Sequence, residues 1–135
     1  MTDTMTAWAP RALSVLRITT GLMIIEHGMG KLLGWPMVPA YSGIKLFSLL
    51  GTAGMIELVG GALLALGLFT RPAALIMSGE MAFAYFISHA PAGFFPILNR
   101  GDAAILYCFA FLYIAFAGGG PWSVDALMGR KTNPR

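Results

Sequence analysis

The stretch ALSVLRITTGLMIIEHGMGKLL, residues 12–33, decides how the chain is read. It is almost wholly apolar and about as long as the roughly 20 helical residues that cross a hydrocarbon core about 30 Å thick. Yet it carries Arg17, Glu26, His27 and Lys31. An ionisable group at membrane depth costs several kcal/mol unless it is paired, hydrated or neutralised, on the order of 3 kcal/mol even on permissive scales. Three further apolar stretches follow, over 51–69, 72–90 and 102–118, and two of them hold an internal acid, Glu57 and Glu80. The expected fold is therefore all-α, an antiparallel bundle of four transmembrane helices. The expected domain is single and spans 1–135, because four spans leave no residues for another.

Composition supports this reading. Of 135 residues, 57% are hydrophobic and 11% are charged, with a mean hydropathy of +0.73. A soluble domain has about 25% charged residues, and a chain this short could not hide so much apolar surface in a core of its own. The net charge of +3 sits in loops and argues against nucleic-acid binding. The single cysteine, Cys108, lies within an apolar stretch and reads as a packing residue. Neither a disulfide nor a metal centre is expected. The first stretch is too long for the core of a cleavable signal and is expected to remain as a span.

The intervening segments supply the ends. Residues 1–9 read as a short polar arm, with Pro10 in the first turn of a helix. Gly34, Trp35 and Pro36 close the first span, and the loop over 36–50 carries Lys45. Thr70, Arg71 and Pro72 make a tight turn that forces a helical hairpin. Asn99 and Asp102 can serve the free N–H groups where the fourth span begins. Arg11, Arg71, Arg130, Lys131 and Arg135 fall on one side, and Lys31, Lys45 and Arg100 on the other. The positive-inside rule then places both termini in the cytoplasm.

With that topology, Glu26, His27, Lys31, Glu57, His89, Arg100 and Asp102 lie in the outer half of the membrane or at its edge. Glu80 is the deepest acid. Gly54, Glu57 and Gly61 share a face of the second span, where small residues let another helix approach closely. Glu26, His27, Glu57 and Glu80 are the candidates for proton chemistry, with Glu57 and His27 expected within hydrogen-bond reach of each other. A buried network that only fixes helix packing accounts for the same residues. Lys31, Arg100 and Asp102 read more simply as interface anchors, and Arg17 can pair with Glu80. Asp102 starts a face of the fourth span that continues through Leu106, Phe109, Tyr113 and Phe116.

Several segments together resemble the DoxX family. They are Leu16-Arg17-Ile18 with His27-Gly28-Met29-Gly30-Lys31-Leu32, then Met55 to Leu64 followed by Gly67-Leu68-Phe69-Thr70-Arg71. Asn99-Arg100-Gly101-Asp102-Ala103 resembles that family's fourth-helix start, with Asp in place of Glu. Gly120-Pro121-Trp122-Ser123-Val124-Asp125 resembles its closing segment, with Gly119 preceding Gly120 in place of the usual order. The resemblance implies a four-helix protein of the bacterial inner membrane, in a family linked to quinone oxidoreductase and terminal oxidase complexes and to thiol or oxidative stress.

Two functional expectations follow. In the first, the chain is a membrane subunit of an oxidoreductase system linked to quinone, a noncovalent cofactor. His27, Lys31, Glu57 and Tyr113 are its tentative binding residues, and Phe83, Tyr85 and Phe109 are further candidates for an apolar slot. Electrons must then come from a partner, because the chain has no flavin, iron–sulfur or nucleotide motif. In the second, the chain is a non-catalytic structural or assembly subunit. Its partners in either case are lipids and other membrane subunits, or further copies of itself. Haem held between His27 and His89 is disfavoured by their different depths.

Overall fold

The computed structural model describes residues 2–132. The side chains of Arg130 and Lys131, and Arg135 altogether, all counted above for orientation, lie outside what is described. Among the described residues the fold is all-helical. The long elements are α1 (Thr2–Leu33), α2 (Leu49–Leu66), α3 (Thr70–Ala84) and α5 (Asp102–Ala117). The single turn α4 (Pro96–Asn99) and the closing helix α6 (Val124–Thr132) complete the set. A π-helical turn over Tyr85–His89 prolongs α3.

Among the described residues, only α2 is long and apolar enough by itself to cross a membrane. α1 has the length but carries five ionisable residues between Arg11 and Lys31, and α3 and α5 have 15 and 16 residues.

Residues 2–9 do not form a loose arm: they are helical, and Pro10 lies inside α1. Asp3 in the first turn complements the helix dipole, and the Arg11 guanidinium lies 4.8 Å from the Trp8 ring centre, which ties the two turns together. The hairpin turn also sits slightly earlier than expected, over 67–69, with Thr70 already helical.

The helices pack as two antiparallel pairs, α1 along α2 and α3 along α5, joined through the α2–α3 hairpin. Glycine sets the first pair. A Cβ on Gly28 would stand 2.7 Å from the Leu58 nitrogen and 2.8 Å from the Gly54 oxygen. One on Gly61 would stand 2.9 Å from the Gly21 oxygen. Both contacts are with backbone, so no side-chain adjustment would relieve them. Ile24, Leu64, Met77, Met81, Phe111 and Ile114 form the core between the pairs. Leu22, Val59, Leu75, Phe83, Leu106 and Phe116 cover the outside and are exposed.

One end is held by a clasp. Arg17 is fully buried in α1. Its Nε donates to the Gly119 oxygen at 2.8 Å, and one Nη donates to the carbonyls of Leu64 and Ala65, the second at 2.8 Å. The other Nη donates to the Trp122 oxygen at 2.6 Å. These carbonyls belong to the last turn of α2 and to the segment after α5, where helix ends leave acceptors free. The expected pairing of Arg17 with Glu80 is therefore not found. A planar five-donor fork is better matched to several converging carbonyls than to one carboxylate. Arg71 closes the end of α5 in the same way, through the carbonyls of Ala115 and Phe116.

Asp125 of α6 completes the clasp, accepting from the N–H groups of Phe69 (2.9 Å) and Thr70 (2.8 Å) at the start of α3. Phe69 supplies no side-chain cap itself. Partial burial pushes the Asp125 carboxyl up, but the hydrogen bonds from Thr70 and Phe69 and the nearby Arg17 outweigh it and hold the group below the usual carboxylate range. A depressed folded value means that the contribution is complete above about pH 4, the ordinary range, and is lost as pH falls through the folded value. Asp125→Asn is expected to lower stability by about 1 kcal/mol at neutral pH, the worth of a helix cap. The gap from wild type should close in strong acid. Thermal unfolding of both proteins across pH checks this, and a gap that widens in acid would contradict it.

Candidate functional site

A second set of polar side chains lies about midway along the packed helices. Contacts fix their heights. Gly28 lies against Gly54 and Leu58, and Gly60 against Met77. The Ser78 hydroxyl donates to the Cys108 carbonyl at 2.8 Å. Counting along antiparallel neighbours, Glu57 stands opposite His27 and Gly28, Glu80 opposite Glu57, and Tyr107 within one residue of Glu80. At 1.5 Å per residue this is one level, to which α1, α2, α3 and α5 each contribute.

The centre of that level is an ion pair. Lys31 Nζ lies 2.5 and 2.6 Å from the two carboxylate oxygens of Glu57, and the side chains are 8% and 5% exposed. The Tyr41 ring, from the loop before α2, stands 5.3 Å from the same ammonium and covers it. Lys31 is thus not the interface anchor expected from its place near a span end. The close α1–α2 approach across Gly28 and Gly54 puts Glu57 within its reach, and two oxygens on one ammonium make a better partner than distant headgroups.

Glu80 and Tyr107 differ from that pair. Both carboxyl oxygens of Glu80 and the hydroxyl of Tyr107 are buried without a hydrogen-bond partner among the described residues. Glu80 lies within electrostatic reach of both Glu57 and Lys31. Tyr107 stacks on Phe111, with ring centres 5.7 Å apart, and meets the His27 ring edge-on at 6.5 Å. Glu26, within electrostatic reach of Tyr107, and His27 are themselves exposed, so they form a rim to the level.

The structure therefore brings together Lys31, Glu57 and Glu80, with Tyr107, His27 and Glu26 beside them. No hydrogen bond joins His27 to Glu57 among the described residues, because Lys31 holds both Glu57 oxygens. Tyr113 is exposed and lies six residues, about 9 Å, from Tyr107 toward the clasp. Phe83 and Phe109 also point outward, and Tyr85 is half-buried, where it accepts a hydrogen bond from Asn99. His89 bonds the Asn99 carbonyl at 3.0 Å, at the end of the molecule, and Asp102 is exposed in the first turn of α5. Asn99 serves α5 as expected, by accepting from the Gly101 N–H at 2.8 Å.

Tyr107 and Tyr41 are the residues that sequence reasoning missed. Tyr107 was legible: Ala104, Tyr107, Phe111 and Ile114 repeat at three and four residues and form the inward face of α5. Tyr41 carried no periodic signal, since it sits in an irregular loop.

The fit to a quinone rests on the unpartnered atoms. A quinone carbonyl needs a donor, and the Tyr107 hydroxyl and a protonated Glu80 can each supply one. No group of three or more His, Cys, Asp or Glu among the described residues is placed to hold a metal ion.

Comparison with known proteins supplies the family. The DoxX profile matches residues 12–90, more than half of the chain. An uncharacterized protein of Haemophilus influenzae is 44% identical over 128 residues, covering 92% of this chain and 96% of its own length. An uncharacterized membrane protein of Mycobacterium tuberculosis is 24% identical over 144 residues, covering 93% of this chain and 86% of its own. No solved structure matches. The matched region contains Arg17, Lys31, Glu57 and Glu80: the chain belongs to the DoxX family of membrane proteins.

Proposed function

We propose that this chain is a multi-pass subunit of an oxidoreductase system in a bacterial inner membrane, linked to quinone at the Lys31–Glu57–Glu80–Tyr107 level. We read it as one domain, a four-helix transmembrane bundle with both termini cytoplasmic. The apolar outer surface supports lipid around the helices, since a soluble protein rarely exposes so contiguous an apolar face. In the sequence, Arg11, Arg71, Arg130, Lys131 and Arg135 outnumber Lys31, Lys45 and Arg100, and this asymmetry supports the orientation. An Asp3→Cys variant in a Cys108→Ala background should resist an impermeant thiol reagent in intact cells, whereas Ser42→Cys should react.

The observation that carries the quinone reading is the pair of buried, unpartnered oxygen-bearing groups, Glu80 and Tyr107, at one height. A bound quinone would supply reversible uptake of electrons and protons. The chain's own residues have narrower tasks. Tyr107 donates to one carbonyl oxygen. Lys31, fixed by Glu57, places positive charge beside it. His27 and Glu26, at the exposed rim, exchange protons with the surroundings. Among the four residues first expected to bind quinone, Tyr113 has no part in this level.

Quinone quantified in lipid extracts of the purified protein tests the reading. Tyr107→Phe removes one donor without changing shape. A hydrogen bond is worth about 1 kcal/mol, so retained quinone should fall about fivefold to tenfold, with folded yield unchanged. Tyr113→Phe should have no effect. Absence of stoichiometric quinone from wild-type protein would instead favour the structural or assembly subunit. The clasp supports that rival, because it uses Arg17, Arg71, Ser123 and Asp125 for architecture alone.

A further inference from the structure

The Lys31–Glu57 pair is electrically closed: one ammonium faces two oxygens of one carboxylate. Glu80 is then a surplus acid. Its oxygens have neither a donor nor contact with solvent. An isolated buried carboxylate is far costlier than a neutral acid, because nothing replaces its lost hydration.

Among the described residues, the charged or titratable groups facing this level come from four helices and from the loop before α2, whose Tyr41 covers the Lys31 ammonium. α1 brings Lys31, with Glu26 and His27 on the exposed rim. α2 brings Glu57, α3 brings Glu80, and α5 brings the neutral Tyr107. Glu26 and His27 lie on the exposed face of α1, outside the buried set. Inside the level, one cation therefore stands against two acids.

We propose that this level is a proton-binding site: it holds one exchangeable proton, resident on Glu80, while Lys31 and Glu57 remain charged. The count of protonated carboxyls equals acids minus cations. Removing the Glu57 charge therefore removes the need for the proton, because Lys31, already within electrostatic reach of Glu80, becomes its counter-ion. The Tyr107 hydroxyl, also unpartnered, gives the proton a neutral polar neighbour at the same height. The assignment rests on the lipid-embedded bundle proposed above and does not depend on a quinone.

Infrared spectroscopy of the protein in oriented liposome films, extracted of quinone and held at neutral pH, tests it. The chain has six acidic side chains, and only Glu80 is expected to show the C=O stretch of a protonated carboxylic acid, shifted by exchange into D2O. Wild type should show one such band. Glu80→Gln should lose it completely. Glu57→Gln should lose it as well, although Glu80 is intact, because Lys31 now neutralises Glu80. Amide dichroism in the same films reports whether the helices cross the bilayer, so a failed membrane reading shows there and not in the acid band. No acid band in wild type, a band that survives Glu80→Gln, or a band that survives Glu57→Gln in a folded protein would overturn the proposal.

Discussion

Arg17→Met should yield almost no folded protein. The side chain is fully buried and reaches four carbonyl oxygens, on Gly119, Leu64, Ala65 and Trp122. Hydrogen bonds to a charged group contribute about 1.5–3 kcal/mol each, and every acceptor left bare adds a desolvation penalty. Even if water rescues half of them, the loss is on the order of 5 kcal/mol. That equals the lower end of the stability of an ordinary domain, about 5–15 kcal/mol. Arg17→Lys should recover only part of it, since one ammonium cannot reach carbonyls on both sides of the fork. Monodisperse yield in detergent, with the thermal midpoint of what survives, measures both. An Arg17→Met protein within a few degrees of wild type would contradict the clasp.

Lys31→Met should rank second, and should be much worse than Glu57→Gln. Removing one partner of a buried ion pair typically costs about 3–5 kcal/mol, because the other charge stays behind. Lys31→Met leaves both Glu57 and Glu80 without a cation. Glu57→Gln leaves Lys31 with Glu80 still in electrostatic reach, so its cost should stay nearer 1 kcal/mol. A location near the end of α1 suggests the opposite order, with Lys31 dispensable because headgroups are close. Unfolding midpoints of the two variants in the same detergent decide between them, and equal midpoints would show that Lys31 is in fact solvated.

Much of this architecture was legible in the sequence. The apolar stretches located α2, α5 and, with its π-helical turn included, α3 to within about three residues, and Gly54 and Gly61 flagged the face of α2 that α1 approaches. The shared height of Glu57 and His27 was readable from residue counts, whereas Glu80, expected to lie deeper than Glu57, stands level with it. What failed was partner choice. Arg17, Lys31 and His27 are long or two-sided groups, and spacing along one helix says nothing about which neighbour arrives opposite. That depends on crossings set by backbone contacts such as Gly28 on Gly54. The inward face of α5 was missed for a different reason. The sequence reading followed the face that Asp102 starts, but at a helix start an acid answers to the dipole and to solvent. Leu106, Phe109, Tyr113 and Phe116 on its stripe are all exposed. The N-terminal turns were missed because Pro10 suggested a beginning, where α1 carries it eight residues inside.

The clasp also has a consequence for biogenesis. Arg17 is made early, but the Gly119 and Trp122 carbonyls that receive it lie 102 and 105 residues further along the chain. Until those residues leave the ribosome, the guanidinium has only part of its coordination, and the start of α3 lacks the carboxylate of Asp125. The first helices can therefore pair before then, but the clasp cannot close. The first helix is thus locked only by residues made more than a hundred positions later, so a nascent chain cut short before residue 119 carries a cation without its full set of carbonyls.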